Sequence, residues 1–306
     1  MKYIVLGDPH IDEASIDECD RIFNSINILL EERKKNKESI TLICLGDYYD
    51  KNRPTSSEID LGTKWAVEFR KNVDRYVMII GNHCEVTKKE NCVSYLRHLD
   101  IEVVDDAIID GMYFGHFMTD ISKKSFGEYD KDRKIEDIKH KFVFLGHQHD
   151  YQELYKGKKF HLGSMRYTSF GEDEDIDKKL AIVDLHNEKV TFKRIECIAI
   201  KNVSSVVELG EIENKNIKVR ITYNTFEQYK KEAFLIENYK NVFEDLIVKH
   251  DYIKTKNNNN DEPKESLLTS VNDINILRDD YAKTIEDSEV KDEFLLITRK
   301  LVNKQQ

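Results

Sequence analysis

The sequence predicts a layered α/β sandwich, in which two sheets are faced by helices. Strand-like and helix-like patterns alternate from Met1 to about Lys201. Four apolar, β-branched runs each end in a short polar loop, as buried strands do. Beyond Gly146 the pattern changes to short strands joined by turns. The four apolar runs are Tyr3–Leu6, Ile40–Leu45, Tyr76–Ile80 and Phe142–Leu145.

Two helices are predicted between the first three strands. The first presents an apolar stripe at helical spacing, as a helix packed on a sheet does. The second runs from about Ser57 to Val73, with Ser56 or Ser57 expected as its N-cap. The stripe of the first helix consists of Cys19, Phe23, Ile26 and Leu30.

Two hairpins are predicted after Gly146. Gln152–Tyr155 and Lys159–His161 flank a short polar turn, and Leu180–Leu185 and Val190–Arg194 flank another. Such pairs of short strands complete the sheets of the first domain, which we place at residues 1–201.

A small α/β unit is predicted at residues 202–253. Its apolar side chains alternate along a strand at residues 217–223, and a helical pattern starts at Thr225. Residues 254–265 are polar and predict a linker. Two amphipathic segments in residues 266–306 either pack on each other or bind another protein. Their stripes are Leu267, Val271, Ile274 and Tyr281, and Val290, Phe294, Ile297 and Leu301.

Bulk composition restricts the possible functions. The net charge of 48 minus 58, or −10, argues against indiscriminate binding to nucleic acid. The five cysteines are odd in number and lack a CxxC pair, which favours a reduced, intracellular protein. No run approaches roughly 18 apolar residues and the chain starts directly with a strand, so neither a membrane span nor a signal peptide is expected.

Polar side chains with metal-ligand chemistry follow the predicted strands. They sit in the order Asp-x-His, Gly-Asp-x-x-Asp, Gly-Asn-His, Gly-His and Gly-His-x-His. Two divalent ions held roughly 3.5–4 Å apart can clamp a phosphate and activate water. Mixed oxygen and imidazole donors suit manganese, iron or zinc better than magnesium or calcium. The candidate ligands are Asp8, His10, Asp47, Asn82, His116, His147 and His149.

The spacing of these residues suggests individual roles. Asp47, at the centre of the sheet, is placed to bridge both ions. Asp8 with His10, and His147 with His149, are expected to alternate along extended segments and point the same way. His83 is a candidate acid or transition-state stabiliser.

These motifs resemble those of the calcineurin-like metallophosphoesterase superfamily over about residues 1–200. The stretch Gly163–Glu172 is similar to a segment of the SbcD-type nucleases of DNA double-strand-break repair and of their phage recombination counterparts. The resemblance implies a four-layer α/β/β/α metallophosphoesterase sandwich with a small α/β capping unit that contacts DNA. The terminal helices would bind the coiled coil of an SbcC-type ABC ATPase, in a heterotetramer containing a homodimer of this chain.

The resemblance also assigns roles to single residues. It places Asp8, His10, Asp47 and His149 on one metal, with manganese expected. Asp47, Asn82, His116 and His147 would surround the other. His83 would act on the phosphate, and Asp50 would support the motif loop. Cys84 departs from the family pattern, which has Asp there, and this change would alter the support of His83. The location implied is the cytoplasm of a bacterial or phage-infected cell.

Several assignments remain open at the level of sequence. Lys51, Arg53 and Arg166 are either contacts to a DNA backbone or ordinary surface charges. Tyr48 and Tyr49 either stack on bases or pack in the core. His116 could be a satisfied core histidine, and His161 is expected to serve packing.

Three functions compete. The first is a DNA exonuclease and endonuclease that works with the ATPase. The second is a small-molecule phosphodiesterase or protein phosphatase with the same two metals. The third is a non-catalytic adaptor, which would be expected to lack metal ligands.

Overall fold

The computed structural model describes residues 1–87, 90–122 and 133–251. Residues 1–251 form one compact unit. The predicted linker at 254–265 and the predicted helices in 266–306 lie outside the described residues, so both stay predictions.

The secondary structure follows the predicted alternation of strands and helices. The strands are β1 Lys2–Leu6, β2 Ile40–Cys44, β3 Arg75–Ile79, β4 Glu85–Thr87, β5 Glu90–Asn91, β6 Glu102–Val104, β7 Ala107–Ile109, β8 Met112–His116, β9 Val143–Gly146, β10 Gln152–Tyr155, β11 Lys159–His161, β12 Lys179–Asp184, β13 Lys189–Arg194, β14 Ala199–Val203, β15 Ile217–Tyr223 and β16 Asp245–His250. The α-helices are α1 Ile16–Lys35, α2 Ser56–Asn72, α3 Val206–Glu211 and α4 Phe226–Ile236.

Two sheets form the body of the molecule. The first has the strand order β13-β12-β1-β2-β3-β6, and the second has the order β10-β11-β9-β8-β7. Strands β1, β2, β3 and β6 run parallel, as do β8, β9 and β11. The carboxyl ends of β1, β2 and β3 therefore share one edge of the first sheet, and those of β8 and β9 share one edge of the second.

The first sheet is buried on both faces. Along β1, Ile4 and Leu6 pack in the cluster that contains the apolar stripe of α1, while Tyr3 and Val5 pack against the second sheet. This alternation, with apolar residues on both faces, is expected of a strand in a sandwich. The predicted layered α/β sandwich is thus confirmed.

The outer face of the second sheet is covered differently from the helical face of the first. Tyr113, Val143 and Leu145 point outward from β8 and β9 and pack with Ile135. In the ranges that the structure describes, this layer contains a single 3₁₀ turn, Ile135–Asp137.

Helix α2 begins one residue earlier than predicted. Its N-cap is Thr55, whose hydroxyl accepts from the Glu58 N–H at 3.4 Å, while the Glu58 carboxylate accepts from the Thr55 N–H at 2.6 Å. This reciprocal capping box satisfies two backbone donors. The expected caps, Ser56 and Ser57, lie inside the helix.

The third sheet contains the strand predicted at residues 217–223, and its first strand, β14, spans the predicted boundary at residue 201. Its order is β14-β15-β16, all parallel, and α4 follows β15 as the sequence suggested. Glu18 of α1 ties this sheet to the sandwich. Its buried carboxylate accepts from the Ile198 N–H at 2.7 Å and from Lys218 at 3.2 Å. Among the described residues, no helix is long and apolar enough to cross a membrane.

Candidate metal centre

The five polar motifs meet at the shared edge of the two large sheets. Each motif directly follows or ends one of the parallel strands β1, β2, β3, β8 and β9. Parallel neighbours bring their carboxyl ends together, so ligands distant in sequence converge without any long loop.

The loops reach this edge through left-handed backbone. His10, Asp47 and His147 have φ values of 47°, 39° and 79°. Non-glycine residues adopt such angles only where the surrounding structure fixes them. Two backbone bonds do so at the first loop, where the His10 N–H donates to the Asp47 carbonyl at 2.9 Å and the Ile11 N–H to the Tyr48 carbonyl at 3.0 Å.

The expectation that each Asp-x-His or His-x-His pair alternates along an extended segment is therefore wrong. The turn at His147 directs its ring to one ligand group while His149 joins another. Asp8 and His10 do share a group, but a left-handed turn brings them together.

The first ligand group contains Asp8, His10 and His149, whose ligand atoms lie within 4.8 Å of one another. Asp8 and His10 are fully buried. Asp8 Oδ2 accepts from the His147 N–H at 2.7 Å, whereas Asp8 Oδ1 and His10 Nε2 have no hydrogen-bond partner among the described residues. Buried polar atoms without partners are costly, and a metal ion would satisfy both. This donor set fits a metal site.

The second ligand group contains Asp47, His116 and His147. The amide oxygen of Asn82 lies 3.0 Å from His116 Nε2 and 2.7 Å from His147 Nδ1, so Asn82 lies within this group. His116 Nδ1 donates to the Leu45 carbonyl at 2.9 Å, which aims the opposite nitrogen at the group. The alternative that His116 is only a core histidine does not fit this orientation.

Asp47 lies between the two groups. Its Oδ1 accepts from the His83 N–H at 2.8 Å. Its Oδ2 lies 3.1 Å from His116 Nε2 and 3.8 Å from His10 Nε2, one nitrogen from each group. A single carboxylate oxygen therefore faces both groups, which is the placement expected of a bridging ligand.

The buried acidic and imidazole groups of the centre shift one another's pKa values. Burial raises the pKa of Asp8 to about 7. Burial alone would raise the pKa of Asp47 and lower that of His116. Their mutual attraction reverses both effects, holding the pKa of Asp47 below its usual range and raising the pKa of His116 to about 10. Burial and the neighbouring His116 lower the pKa of His147 to about 4, so its imidazole is neutral and can ligate a metal.

The comparison with known families agrees with this arrangement. The family model described as calcineurin-like phosphoesterase matches residues 1–183, more than half of the chain. The chain belongs to the calcineurin-like phosphoesterase family. A search of curated proteins found no match to the chain. As a calcineurin-like phosphoesterase, the protein is a metal-dependent hydrolase of phosphoesters, and its Asp and His groups are the candidates for holding divalent ions.

Within this calcineurin-like phosphoesterase, Asp50 supports two histidines. Its backbone carbonyl accepts from His83 Nδ1, and its Oδ1 lies 3.2 Å from His10 Nδ1. The sequence departs from the family pattern at Cys84, where an Asp would be expected to orient the histidine. The Asp50 carbonyl provides that orientation, so the change at Cys84 does not leave the His83 ring unsupported.

Three cationic side chains were candidates for contacting DNA, and they differ in exposure. Lys51 and Arg53 are exposed. Arg166 is only 3% exposed, and its guanidinium donates to the His10 carbonyl at 2.6 Å and to the Asp12 carboxylate. A buried, engaged guanidinium has no free surface to offer a phosphate backbone, so this position does not fit a DNA contact.

Three further assignments are resolved in favour of packing. Tyr48 and Tyr49 are buried, and the Tyr48 hydroxyl donates to the Gly62 carbonyl at 2.7 Å. His161 is buried between Ser122, 2.7 Å from its Nε2, and the Gly146 carbonyl, 3.0 Å from its Nδ1. None of these rings is available to stack on a base.

Two residues of the centre had no role in the sequence interpretation. Glu172 and Lys178 form a buried ion pair behind His149. Glu172 closes the stretch that resembles the SbcD-type nucleases, which is the one signal that could have marked it. Lys178 stands in the charged run Asp177–Lys179, which is typical of a solvated surface, so no local signal could have found it.

Proposed function

We propose that this phosphoesterase is a DNA exonuclease and endonuclease of the SbcD type, acting in double-strand-break processing and recombination. The observation that carries the proposal is the stretch Gly163–Glu172, which resembles the SbcD-type segment. This stretch lies directly against the first ligand group, since the Met165 N–H donates to the Asp8 carbonyl at 2.9 Å. Resemblance and contact with the metal ligands thus coincide in one segment.

The residues of the chain suit hydrolysis of a phosphodiester. Seven side chains would hold two divalent ions, which when bound supply Lewis acidity to phosphate oxygens and lower the pKa of an attacking water. We propose manganese as the metal, because the donors mix carboxylate, amide and imidazole groups. The seven are Asp8, His10, Asp47, Asn82, His116, His147 and His149.

His83 is the proposed catalytic histidine. Its Nδ1–H is committed to the Asp50 carbonyl. Nε2 is therefore the ring atom left to hold a proton for the phosphate or the leaving oxygen. The His83 backbone N–H donates to Asp47, which ties the position of the ring to the bridging ligand.

Cleavage of DNA tests the proposal. Purified protein loaded with manganese is incubated with end-labelled duplex and hairpin DNA, with and without an SbcC-type ATPase. We expect shortening of duplex ends and opening of the hairpin. Intact DNA under both conditions, from protein that contains two ions per chain, would remove the nuclease function.

The proposed partners are DNA, an SbcC-type ABC ATPase and a second copy of this chain. The amphipathic stripes in residues 266–306 support the ATPase as partner, and Ile59, 37% exposed on α2, supports a dimer contact within residues 59–99. A pull-down with the ATPase compares the full chain with one that ends at Lys254. Equal capture by both would remove the terminal segment as the binding region.

A second candidate function is favoured by one observation. A cavity of about 390 Å³ next to the metal centre is lined by Asp12, Glu13, Ala14, Asp50 and Lys51. Its excess of acidic groups repels a long polyanion and suits a small-molecule phosphodiesterase or a protein phosphatase. Competition distinguishes the two. If DNA enters the centre, excess duplex inhibits turnover of bis-p-nitrophenyl phosphate, whereas a small-substrate enzyme is unaffected.

A further inference from the structure

We infer that the segment Gly163–Glu172, together with Lys178, is a positioning element for one of the two metal sites, the site of Asp8, His10 and His149. In particular, Thr168 and Glu172 fix the ring of His149 so that Nε2 faces the metal. The inference rests on the two-metal centre of the proposed function, and it does not depend on DNA being the substrate.

The segment holds the backbone of all three residues of the first ligand group. The Met165 N–H donates to the Asp8 carbonyl at 2.9 Å, and the Ser164 N–H donates to the His149 carbonyl at 2.9 Å. The buried guanidinium of Arg166 donates to the His10 carbonyl at 2.6 Å. This last bond fixes the left-handed turn at His10, so the segment sets where each ligand backbone lies.

The side chain of His149 is held by a chain of hydrogen bonds. Thr168 Oγ1 lies 2.8 Å from His149 Nδ1 and 2.8 Å from Glu172 Oε1. The Glu172 carboxylate also accepts from the backbone N–H groups of Thr168 at 2.7 Å and Ser169 at 2.8 Å. A carboxylate only accepts, so the Thr168 hydroxyl must donate to Glu172 and accept from the His149 Nδ1–H.

This direction of donation fixes the tautomer of His149. With the proton on Nδ1, the lone pair of Nε2 is free for a metal ion. Thr168 therefore relays the orienting effect of Glu172 to His149 through two hydrogen bonds. Loss of the Thr168 hydroxyl alone would leave the His149 ring without this orienting contact.

Lys178 offsets the free-energy cost of burying the Glu172 carboxylate. The lysine side chain is 1% exposed, and its ammonium donates to Glu172 Oε2 at 2.5 Å, to Ser164 Oγ at 3.1 Å and to the His149 carbonyl at 2.9 Å. Three acceptors satisfy its three protons. Lys178 thus joins Glu172 to the backbone of His149, the ligand that Glu172 and Thr168 orient.

His116 and Asp47 of the other site are held by different parts of the chain. Leu45 accepts from His116, and the His83 N–H donates to Asp47. A change within the Thr168–Glu172 relay should consequently weaken one site and spare the other.

The test compares Thr168→Val, which keeps the shape and removes the hydroxyl, with Thr168→Ser, which restores it. Manganese titrations are followed by calorimetry and by electron paramagnetic resonance. For Thr168→Val we expect one ion to bind as in the wild type and the other to bind about tenfold to hundredfold more weakly. The spectrum of a spin-coupled pair should give way to that of an isolated ion, and Thr168→Ser should recover the pair.

Ser169→Ala is the matched control. The Ser169 hydroxyl accepts from the Gly171 N–H at 3.1 Å within the same loop. A role limited to loop stability would make Ser169→Ala and Thr168→Val behave alike. Two sites of unchanged affinity in a folded Thr168→Val protein would overturn the inference.

A measurement on the wild type covers the case in which Thr168→Val does not fold. Nitrogen-15 NMR of the zinc-loaded protein should show His149 protonated at Nδ1. Protonation at Nε2 would overturn the inference. Neither outcome bears on cleavage of DNA, so a protein that binds two ions and leaves DNA intact would lose the nuclease proposal and keep this one.

Discussion

His10 illustrates how single residues reveal the metal centre. It is fully buried, it has a left-handed backbone, and within the part of the chain that the structure describes its Nε2 has no hydrogen-bond partner. Each of these features is unfavourable for an isolated histidine. They are explained together if the ring is a metal ligand held in place by its neighbours.

Replacing His83 with asparagine should separate catalysis from metal binding. We expect turnover of a phosphodiester substrate to fall by about 10²- to 10⁴-fold, because the proton held by the imidazole is lost. Two metal ions per chain should remain bound, because the seven ligands are untouched. Steady-state kinetics and metal analysis measure both quantities, and loss of metal would show that His83 is a ligand.

The identity of the ligands could be predicted from the sequence, but the path of the backbone between them could not. Ligand chemistry is a property of single side chains, so the ordered Asp, Asn and His residues can be recognised directly in the sequence. The left-handed turns at His10 and His147 depend on hydrogen bonds to Asp47 and Asp8 and on one donated by Arg166, all of which lie far away in the chain. The relay through Thr168 depends on a similar long-range contact with His149.

At the scale of elements, the predicted strands lie close to their observed bounds, whereas several short strands were not predicted and the start of a helix was misplaced. The hairpin strands Gln152–Tyr155 and Lys159–His161 have the predicted bounds. The start of α2 was misplaced because Thr55, Ser56 and Ser57 are all capable caps. Glu58 selects Thr55, since only Thr55 stands three residues before a glutamate that can complete the capping box.

The cap of α2 gives a stability prediction. Thr55→Ala should lower the free energy of unfolding by about 1 kcal/mol, because the Glu58 N–H loses its acceptor. Ser57→Ala, inside the first turn of the helix, is the control and should have a smaller effect. Urea denaturation of both variants measures the difference, and equal losses would show that the cap is not Thr55.

The contact between α1 and the third sheet gives another prediction. Glu18→Ala should lower the free energy of unfolding by about 2 kcal/mol, because it leaves the buried Ile198 N–H without an acceptor and Lys218 without its ion pair. Asp17→Ala, at an exposed position of the same turn, should change stability by a few tenths of a kcal/mol, about the size of a helix-dipole effect. Denaturation curves with one transition that do not shift for Glu18→Ala would contradict the contact.

At the scale of the whole molecule, the sequence indicates the first domain and the small α/β unit but not the contacts between them. Residue 201 is a boundary by composition and pattern, yet strand β14 and the hydrogen bond from Lys218 to Glu18 span it, and residues 1–251 form one compact unit. Contacts between residues about 180 positions apart leave no local pattern to detect.

The global charge and the buried carboxylates of the metal centre predict that metal ions stabilise the whole chain. The net charge is −10, and Asp8 and Asp47 are buried within one centre. Ions that bind only the folded state should add about 2.7 kcal/mol at a free concentration one hundred times the dissociation constant. Calorimetry in manganese and in EDTA should therefore show a higher Tm with manganese. An unchanged Tm would mean that the centre does not bind the ion.

Anomalous diffraction from a crystal soaked in manganese tests the central claim most directly. The account predicts two peaks, one beside Asp8, His10 and His149, the other beside Asn82, His116 and His147, with Asp47 between them. A single peak, or two peaks that do not share Asp47, would contradict it.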